Sequence, residues 1–499
     1  MNPKSNTVRS AVAALLIVAA SAAYAKPNIV FILTDDLGYG DVGWAWQERR
    51  KAGEARIFTP NLDRLAHEGT ILSSHYCAAP VCAPSRASIL TGRLQRREGG
   101  CSVSNNMFDH PITEPETIGS VMKRGGYRTM AIGKWGVGGG GESGKPRTAH
   151  PLDKGFDSYY GFLDHLAGHT YYHYDGYIRG AYMGVWEGRE KATETAIGRY
   201  STDLFIARAK KEIEESVKDH PGQPFFLYLA VNTIHGSKRN DDTLKNTHSL
   251  HVPGRPYPAE GVSWPLDPEP LDMRNTWIDP RYRDLGNENM QRYATAISRL
   301  DDAIGDLMRH LRKLGIDKNT IVVFTSDNGP ADEYGADTRF FGSAGPFDGL
   351  KRDVYEGGMR VPTFVWGLRR NMGGKGAVPA EDATPSISTD WMATFAHIAG
   401  VQKPQQCDGV SLLRRWMGNA RPEPSRIETS YHGFYSDQND FKEFSARKGH
   451  LVRGDQDMRR EGNIVMLRAG GQDKPWRKYD VVADPHQDRD LNAVPEKSR

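Results

Sequence analysis

At 499 residues, with 65 Lys+Arg against 62 Asp+Glu, the chain is long enough for one large domain and a small one, and it is nearly neutral. That balance excludes the basic footprint of a nucleic-acid partner. Four cysteines (Cys77, Cys82, Cys101 and Cys407) are too few for a disulfide scaffold, although one bridge among Cys77, Cys101 and Cys407 is open.

Residues 1–25 read as a secretory signal peptide. Lys4 and Arg9 form its basic start, Ser10 to Ala23 is mostly apolar, and Ala23-Tyr24-Ala25 is a small-x-small cleavage site. The apolar run is short for a membrane span, and no later stretch is apolar enough to anchor the mature chain. A periplasmic or secreted protein is expected. Residues 26–420 are predicted to form one α/β domain and residues 421–499 a small C-terminal subdomain.

Between Asn28 and Thr34 the run Ile-Val-Phe-Ile-Leu is apolar and rich in β-branched residues, as in a strand buried on both faces, and it ends in Asp35-Asp36-Leu37-Gly38. Pro60 suits the first turn of a helix through Gly69. Val81 to Arg93, VCAPSRASILTGR, places Cys82 at the head of a short helix with Pro84 in its first turn and Gly92 at its end. Glu116–Lys123 reads as a helix after Pro115. Tyr127–Gly133 is a strand ending in Lys134-Trp135, and Ser201–Val217 is a charged amphipathic helix. Phe225–Val231 is a strand that runs into Asn232-Thr233-Ile234-His235. Ile297, Leu300, Ile304, Leu307, Leu311 and Leu314 recur at three- and four-residue spacing, the face of a helix. Thr320–Thr325 is a strand ending in Ser326-Asp327-Asn328-Gly329.

Strands alternating with helices predict a large, mainly parallel sheet flanked by helices. Ligands of such sheets sit outside the carboxyl ends of the strands, where Asp35, Asp36, Lys134, His235, Asp327 and Asn328 are expected to converge. Beyond about residue 420, Phe444–Lys448 and Lys478–Val482 are short segments separated by glycine and charge, which predicts a few antiparallel strands.

Three carboxylates and an amide suit a hard divalent cation, Ca²⁺ or Mg²⁺, better than zinc. Either pair alone is what helix caps and turns use; two pairs after two parallel strands favour the cation. Cys82 heads a helix, where free N–H groups and the dipole favour an anion, and Arg86 lies one turn on. On the residues alone, Cys82 is either a thiolate nucleophile with His235 as partner or a buried structural cysteine. Neither explains a hard-metal cluster.

The pattern Cys82-x-Pro84-Ser85-Arg86, continuing to Thr91-Gly92-Arg93, resembles the signature of type I, formylglycine-dependent sulfatases of the alkaline phosphatase superfamily. The likeness runs over most of the chain. Pro27-Asn28-Ile29-Val30 through Asp35-Asp36, Ser326-Asp327-Asn328-Gly329, and Lys351 ahead of Glu356-Gly357-Gly358 resemble family landmarks, as do Asp408-Gly409-Val410-Ser411 and Tyr479-Asp480. The resemblance implies that a maturation enzyme oxidises Cys82 to formylglycine. Its hydrate has two hydroxyls: one attacks sulfur, and the other expels sulfate by restoring the aldehyde. It further implies that Asp35, Asp36, Asp327, Asn328 and an oxygen of modified Cys82 bind the metal, Ca²⁺ ahead of Mg²⁺. Arg86 and Lys134 would hold the modified residue, His235 would protonate the leaving oxygen, and Lys351 would neutralise a sulfate oxygen.

One departure stands out. The family's Gly-Lys-Trp-His is Gly133-Lys134-Trp135-Gly136 here, without the histidine that touches formylglycine. The resemblance implies, for members with glycine at this place, a histidine before paired tyrosines, which maps to His169; that residue either supplies the missing base or only hydrogen-bonds a sugar hydroxyl or a loop backbone, and His165 and His173 are the next candidates for the base. The stretch His165 to Gly180, rich in His and Tyr, is also a candidate sugar-binding wall. The expected activity is hydrolysis of a sulfated carbohydrate or aryl sulfate. The competing functions are a phosphomonoester or phosphodiester hydrolase on the same fold and a carbohydrate-binding protein that has lost turnover.

Overall fold

The computed structural model describes residues 26–493 except 104–109, 141–146, 179, 237–249, 333–334, 373–377, 419–423 and 435–452. Residues 1–25, expected to be a signal peptide, and the strand expected over Phe444–Lys448 lie outside the described residues.

Nine strands form the main sheet: β1 (Asn28–Thr34), β2 (Thr70–Ile71), β3 (Arg128–Lys134), β4 (Ser158–Phe162), β5 (Trp186–Glu187), β6 (Glu190–Lys191), β7 (Phe225–Ala230), β8 (Thr320–Ser326) and β9 (Phe364–Trp366). Their spatial order is β2-β9-β8-β1-β7-β3-β4-β5-β6. The five central strands, β8 to β4, run parallel, and the short outer ones pair antiparallel. The expected parallel sheet is therefore present, with one parallel strand more than the sequence pattern indicated. That strand, β4, is Ser-Tyr-Tyr-Gly-Phe, too short and aromatic to stand out as an apolar run.

Alternation along β1 divides the core. Val30 and Ile32 pack with α1 (Pro60–Glu68), α4 (Ser201–Asp219) and α5 (Glu288–Lys313) on one face. Ile29, Phe31 and Leu33 pack with α2 (Cys82–Thr91), α3 (Ile118–Arg124) and α6 (Asp390–Ile398) on the other. Such two-sided cover is why β1 is apolar at every position from Ile29 to Leu33. In α5 the expected stripe faces the core, Asn287 caps the start by accepting from Met290 N–H, and Leu314 falls just past the end. Helix α3 begins later than expected, at Ile118, because the Thr117 hydroxyl caps it by accepting from Ser120 N–H.

A separate antiparallel sheet in order β10 (Ile427–Phe434), β11 (Arg453–Glu461), β12 (Ile464–Ala469) and β13 (Arg477–Asp480) follows. Its inner face, Met458, Val465, Leu467 and Tyr479, shares a small core with Tyr76, Val354, Tyr355 and Met359. All four cysteines are free and buried, so the bridge left open by the sequence does not form. The thiols are engaged apart from one another: Cys77 with Gly358 O at 3.6 Å, Cys101 with Thr91 Oγ1 at 3.6 Å and Cys407 with Gly409 O at 3.9 Å. Among the described residues no helix is long and apolar enough to cross a membrane.

Candidate active site

The register of the central strands sets the site. Thr34 pairs with Ser326, Leu33 with Ala230, and Ala230 with Gly133, so four strands end at one level. Asp35 N–H then donates to Thr233 O at 2.9 Å and Ile234 N–H to Asp35 O at 2.7 Å, locking the β1 and β7 exits together. Asp36 turns left-handed at φ 63°, a conformation that Asp tolerates better than most residues, and its N–H donates to Asp327 Oδ1 at 3.2 Å.

Helix α2 opens at Cys82 without a side-chain cap and closes at Gly92, whose φ of 69° needs glycine; a Cβ there would also press Met392 and Cys407 at under 3 Å. Arg86 is wholly buried and joins three strand ends. Its Nε donates to Asp327 Oδ2 at 2.8 Å and its Nη1 to Lys134 O at 3.0 Å, while Nη2 lies 3.6 Å from Asp35 Oδ2. One ligand atom each from Asp35, Cys82 and Asp327 fall within 4.8 Å of one another.

Lys134 Nζ donates to Asp35 Oδ2 at 2.5 Å, and Lys351 Nζ to Asp36 Oδ2 at 2.7 Å. Asn328 Nδ2 donates to Asp36 Oδ1 at 2.8 Å. Two buried oxygens, Asp35 Oδ1 and Asn328 Oδ1, accept no hydrogen bond. Burial alone would raise the Asp35 carboxyl, but Lys134, Arg86 and Lys351 outweigh it and hold it well below the usual carboxylate range. Asp327 goes the other way: burial and the neighbouring charge of Asp35 push it up, against the pull of Arg86. Burial also raises the Cys82 thiol. Three carboxylates, Asp35, Asp36 and Asp327, thus face three cations, Arg86, Lys134 and Lys351, with little solvent between them.

Three histidines line the opposite side. His235 Nδ1 meets Gly236 O at 2.6 Å, and its Nε2 lies 3.2 Å from Lys351 Nζ and 3.6 Å from Asp36 Oδ2. His169 stacks on His235 with ring centres 4.1 Å apart, and its Nε2 has no hydrogen-bond partner. His165, not His169, faces residue 82: its Nε2 lies 3.9 Å from Cys82 Sγ. Both belong to a short 3₁₀ turn, His165–His169, that follows β4, so the fifth parallel strand delivers them to the same edge. Burial first, then neighbouring positive charge, lowers all three imidazoles well below their ordinary value.

Gly136 sits beside them. A Cβ built there would meet Lys134 Cε at 3.7 Å and His165 Nδ1 at 3.9 Å, so His165 borders the place a side chain at 136 would enter. The backbone at 136 is left-handed, φ 73°, which favours the glycine found. His173 is elsewhere: its Nδ1 meets Met183 O at 3.1 Å and its ring packs on Phe162. Tyr171 and Tyr172 turn inward against Tyr200 instead of forming a sugar wall, because their hydroxyls find buried partners, Asn232 O and Glu269 Oε2. The residues expected at the strand ends and at the helix head lie together, and of the histidines weighed at 165, 169 and 173 it is His165 whose ring nitrogen lies against Cys82. The aromatic run of β4 was the signal that would have placed the turn.

The sulfatase family profile matches residues 27–401. The N-acetylgalactosamine-6-sulfatase of Rattus norvegicus is 30% identical over 408 residues, spanning 79% of this chain and 66% of that protein. Arylsulfatase J of Mus musculus is 30% identical over 410 residues, spanning 79% of this chain and 56% of that protein. Among solved structures, Ps i-CgsB in complex with k-i-k-neocarrahexaose superposes with a TM-score of 0.67 at 25% identity, covering 93% of this chain and 88% of that one. With the match running from β1, through the helix that carries Cys82, to the end of α6, the chain belongs to the sulfatase family.

Proposed function

We propose that the protein hydrolyses sulfuric esters of a sulfated carbohydrate after export to the periplasm or medium. Residue 82 acts as formylglycine, and Ca²⁺ is held by Asp35, Asp36, Asp327, Asn328 and an oxygen of residue 82. The observation that carries this reading is Cys82 at the head of α2, its Sγ grouped with Asp35 and Asp327 within 4.8 Å. That Sγ stands in for the formylglycine oxygen. The unpartnered Asp35 Oδ1 and Asn328 Oδ1 supply the all-oxygen surroundings that a hard cation takes. When bound, the cation lowers the pKa of a hydroxyl on residue 82 and withdraws charge from the sulfate.

The chain's own groups do the rest. Arg86 fixes Asp327 and the Lys134 backbone so that residue 82 meets a rigid floor. Lys134 and Lys351 place ammonium groups where sulfate oxygens collect charge. His235 Nδ1 donates to Gly236 O, which turns Nε2 into the site; the anionic ester offsets the burial and the Lys351 charge that keep the free imidazole neutral, so Nε2 takes up a proton from water as substrate binds and passes it to the leaving alcohol oxygen. His165 holds the second hydroxyl of residue 82 and receives its proton when sulfate leaves, the part a histidine at 136 would otherwise play. The partly exposed His169, stacked on His235, orients the sugar. Relatives named for a sugar sulfate, and a neighbour that binds a neocarrahexaose, favour a sulfated sugar as substrate. Cys82 and Arg86 are both buried, so a formylglycine-generating enzyme reads the motif before the domain closes.

Peptide mass spectrometry of protein from its own host tests the reading: residue 82 should carry an aldehyde, and matched aryl sulfates should turn over faster than aryl phosphates. Full activity with an intact thiol at 82, or preference for the phosphate, overturns it.

A further inference from the structure

The outer face of the C-terminal sheet carries a cleft of about 340 Å³ that the active site does not use. Its floor is two carboxylates, Glu428 on β10 and Asp457 on β11, only 8% and 5% exposed. Five guanidiniums gather over them. Arg96, Arg426 and Arg459 approach Glu428 at 3.8, 2.8 and 3.9 Å, and Arg97 and Arg468 approach Asp457 at 3.3 and 2.8 Å. Asp408 and Asp455 hold Arg96 and Arg97 from outside the lining. Each guanidinium has five N–H donors and a carboxylate about four acceptor positions, so the five arginines carry more donors than the two carboxylates can take, and Glu428 Oε1 itself accepts no hydrogen bond. Trp476 forms a wall, with Arg468 4.6 Å and Arg459 5.7 Å from its ring centre. Gln95, wholly buried, also lines the cleft, and its Oε1 accepts no hydrogen bond.

Planar donor forks suit sulfate, the buried amide oxygen suits a hydroxyl, and the indole suits the apolar face of a ring. The cleft is also tied to the helix that bears Cys82. Gln95 Nε2 donates to Pro84 O at 2.9 Å, Ser430 N–H donates to Gln95 O at 2.8 Å, and Tyr431 packs on Val81 and Cys82. Glu428 and Tyr431 are three residues apart on one strand, roughly 10 Å.

We propose that this cleft is a second binding site for a sulfated oligosaccharide, holding a sulfate of the same polymer whose ester is cut at residue 82. The link to a polymer under attack rests on the sulfatase reading; the cleft's affinity for sulfated sugar does not. The test uses the intact protein carrying Cys82→Ala, so that binding is read without turnover, and dextran sulfate as probe. Replacing Arg459 and Arg468 by alanine is expected to weaken binding at least about tenfold with an unchanged melting transition. The corresponding lysine pair keeps charge but loses the forks, and it should fall between. It also serves as the test if the alanine pair does not fold. An unchanged dissociation constant overturns the proposal, as does inorganic polyphosphate binding as tightly as dextran sulfate. Hydrolysis of 4-nitrophenyl sulfate by the protein with residue 82 intact reports separately on the reaction. If that ester is untouched while dextran sulfate still binds through the arginines, the reaction is misassigned and the cleft stands.

Discussion

The two sides of the active site are built differently. The floor, Asp35, Asp36, Asp327, Asn328 and Lys134, hangs from three strands whose register leaves each side chain little freedom, and every member is buried and tied to another. The wall, His165, His169 and His235, sits on a short 3₁₀ turn and a strand exit, and its members meet ring to ring, edge-on between His165 and His169 and stacked between His169 and His235. Charge dense enough to hold a cation needs rigid backbone behind it. A surface that only borders the reacting group does not, and loops carry variation in such surfaces readily.

Breaking the floor should therefore be all-or-none, and breaking the wall graded. Asp327→Ala removes one carboxylate and the acceptor of Arg86 Nε. Turnover is expected to fall by about 10³-fold or more in steady-state assays while circular dichroism stays native. Near-normal rates after exhaustive chelation would count decisively against the cation site.

His235→Ala is the largest wall effect, about 10²–10⁴-fold on sugar sulfates and less on activated aryl sulfates, whose leaving groups need no acid. Equal losses on both classes would leave His235 a binding role alone. His165→Ala and His169→Ala separate the two neighbours. The first should release alcohol in a burst and then stall as sulfated enzyme, lowering kcat by about 10²-fold with KM little changed. The second should raise KM on sugar sulfates and spare small aryl sulfates. A stall in His169→Ala and none in His165→Ala would reverse the assignment.

The smallest effect belongs to His173, which packs on Phe162 away from the chemistry. His173→Ala should lower stability by about 1–3 kcal/mol in denaturant unfolding and leave kcat nearly intact. A catalytic loss larger than this predicts would place the wall further into the core than the distances above do.

Much of the floor was legible because strand chemistry is local. Continuous apolar β-branched runs such as Asn28–Thr34 and Thr320–Ser326 declare a doubly covered parallel strand, and the polar residues that follow must then lie at its carboxyl end. The Cys82-Pro84-Arg86 spacing likewise declares a helix head, since the proline fixes the first turn and one turn brings Arg86 to the same face. Tertiary structure decided the rest. Strand β4 is Ser-Tyr-Tyr-Gly-Phe, recognisable only once β3 lies beside it, and the turn after it sets His165 Nε2 against Cys82 Sγ and His169 against the His235 ring. Whether Tyr171 faces a sugar or the core depended on Asn232 O waiting for its hydroxyl, and whether the cysteines pair depended on where their helices and loops dock. Such outcomes hinge on contacts between residues far apart in the chain, which no local pattern encodes.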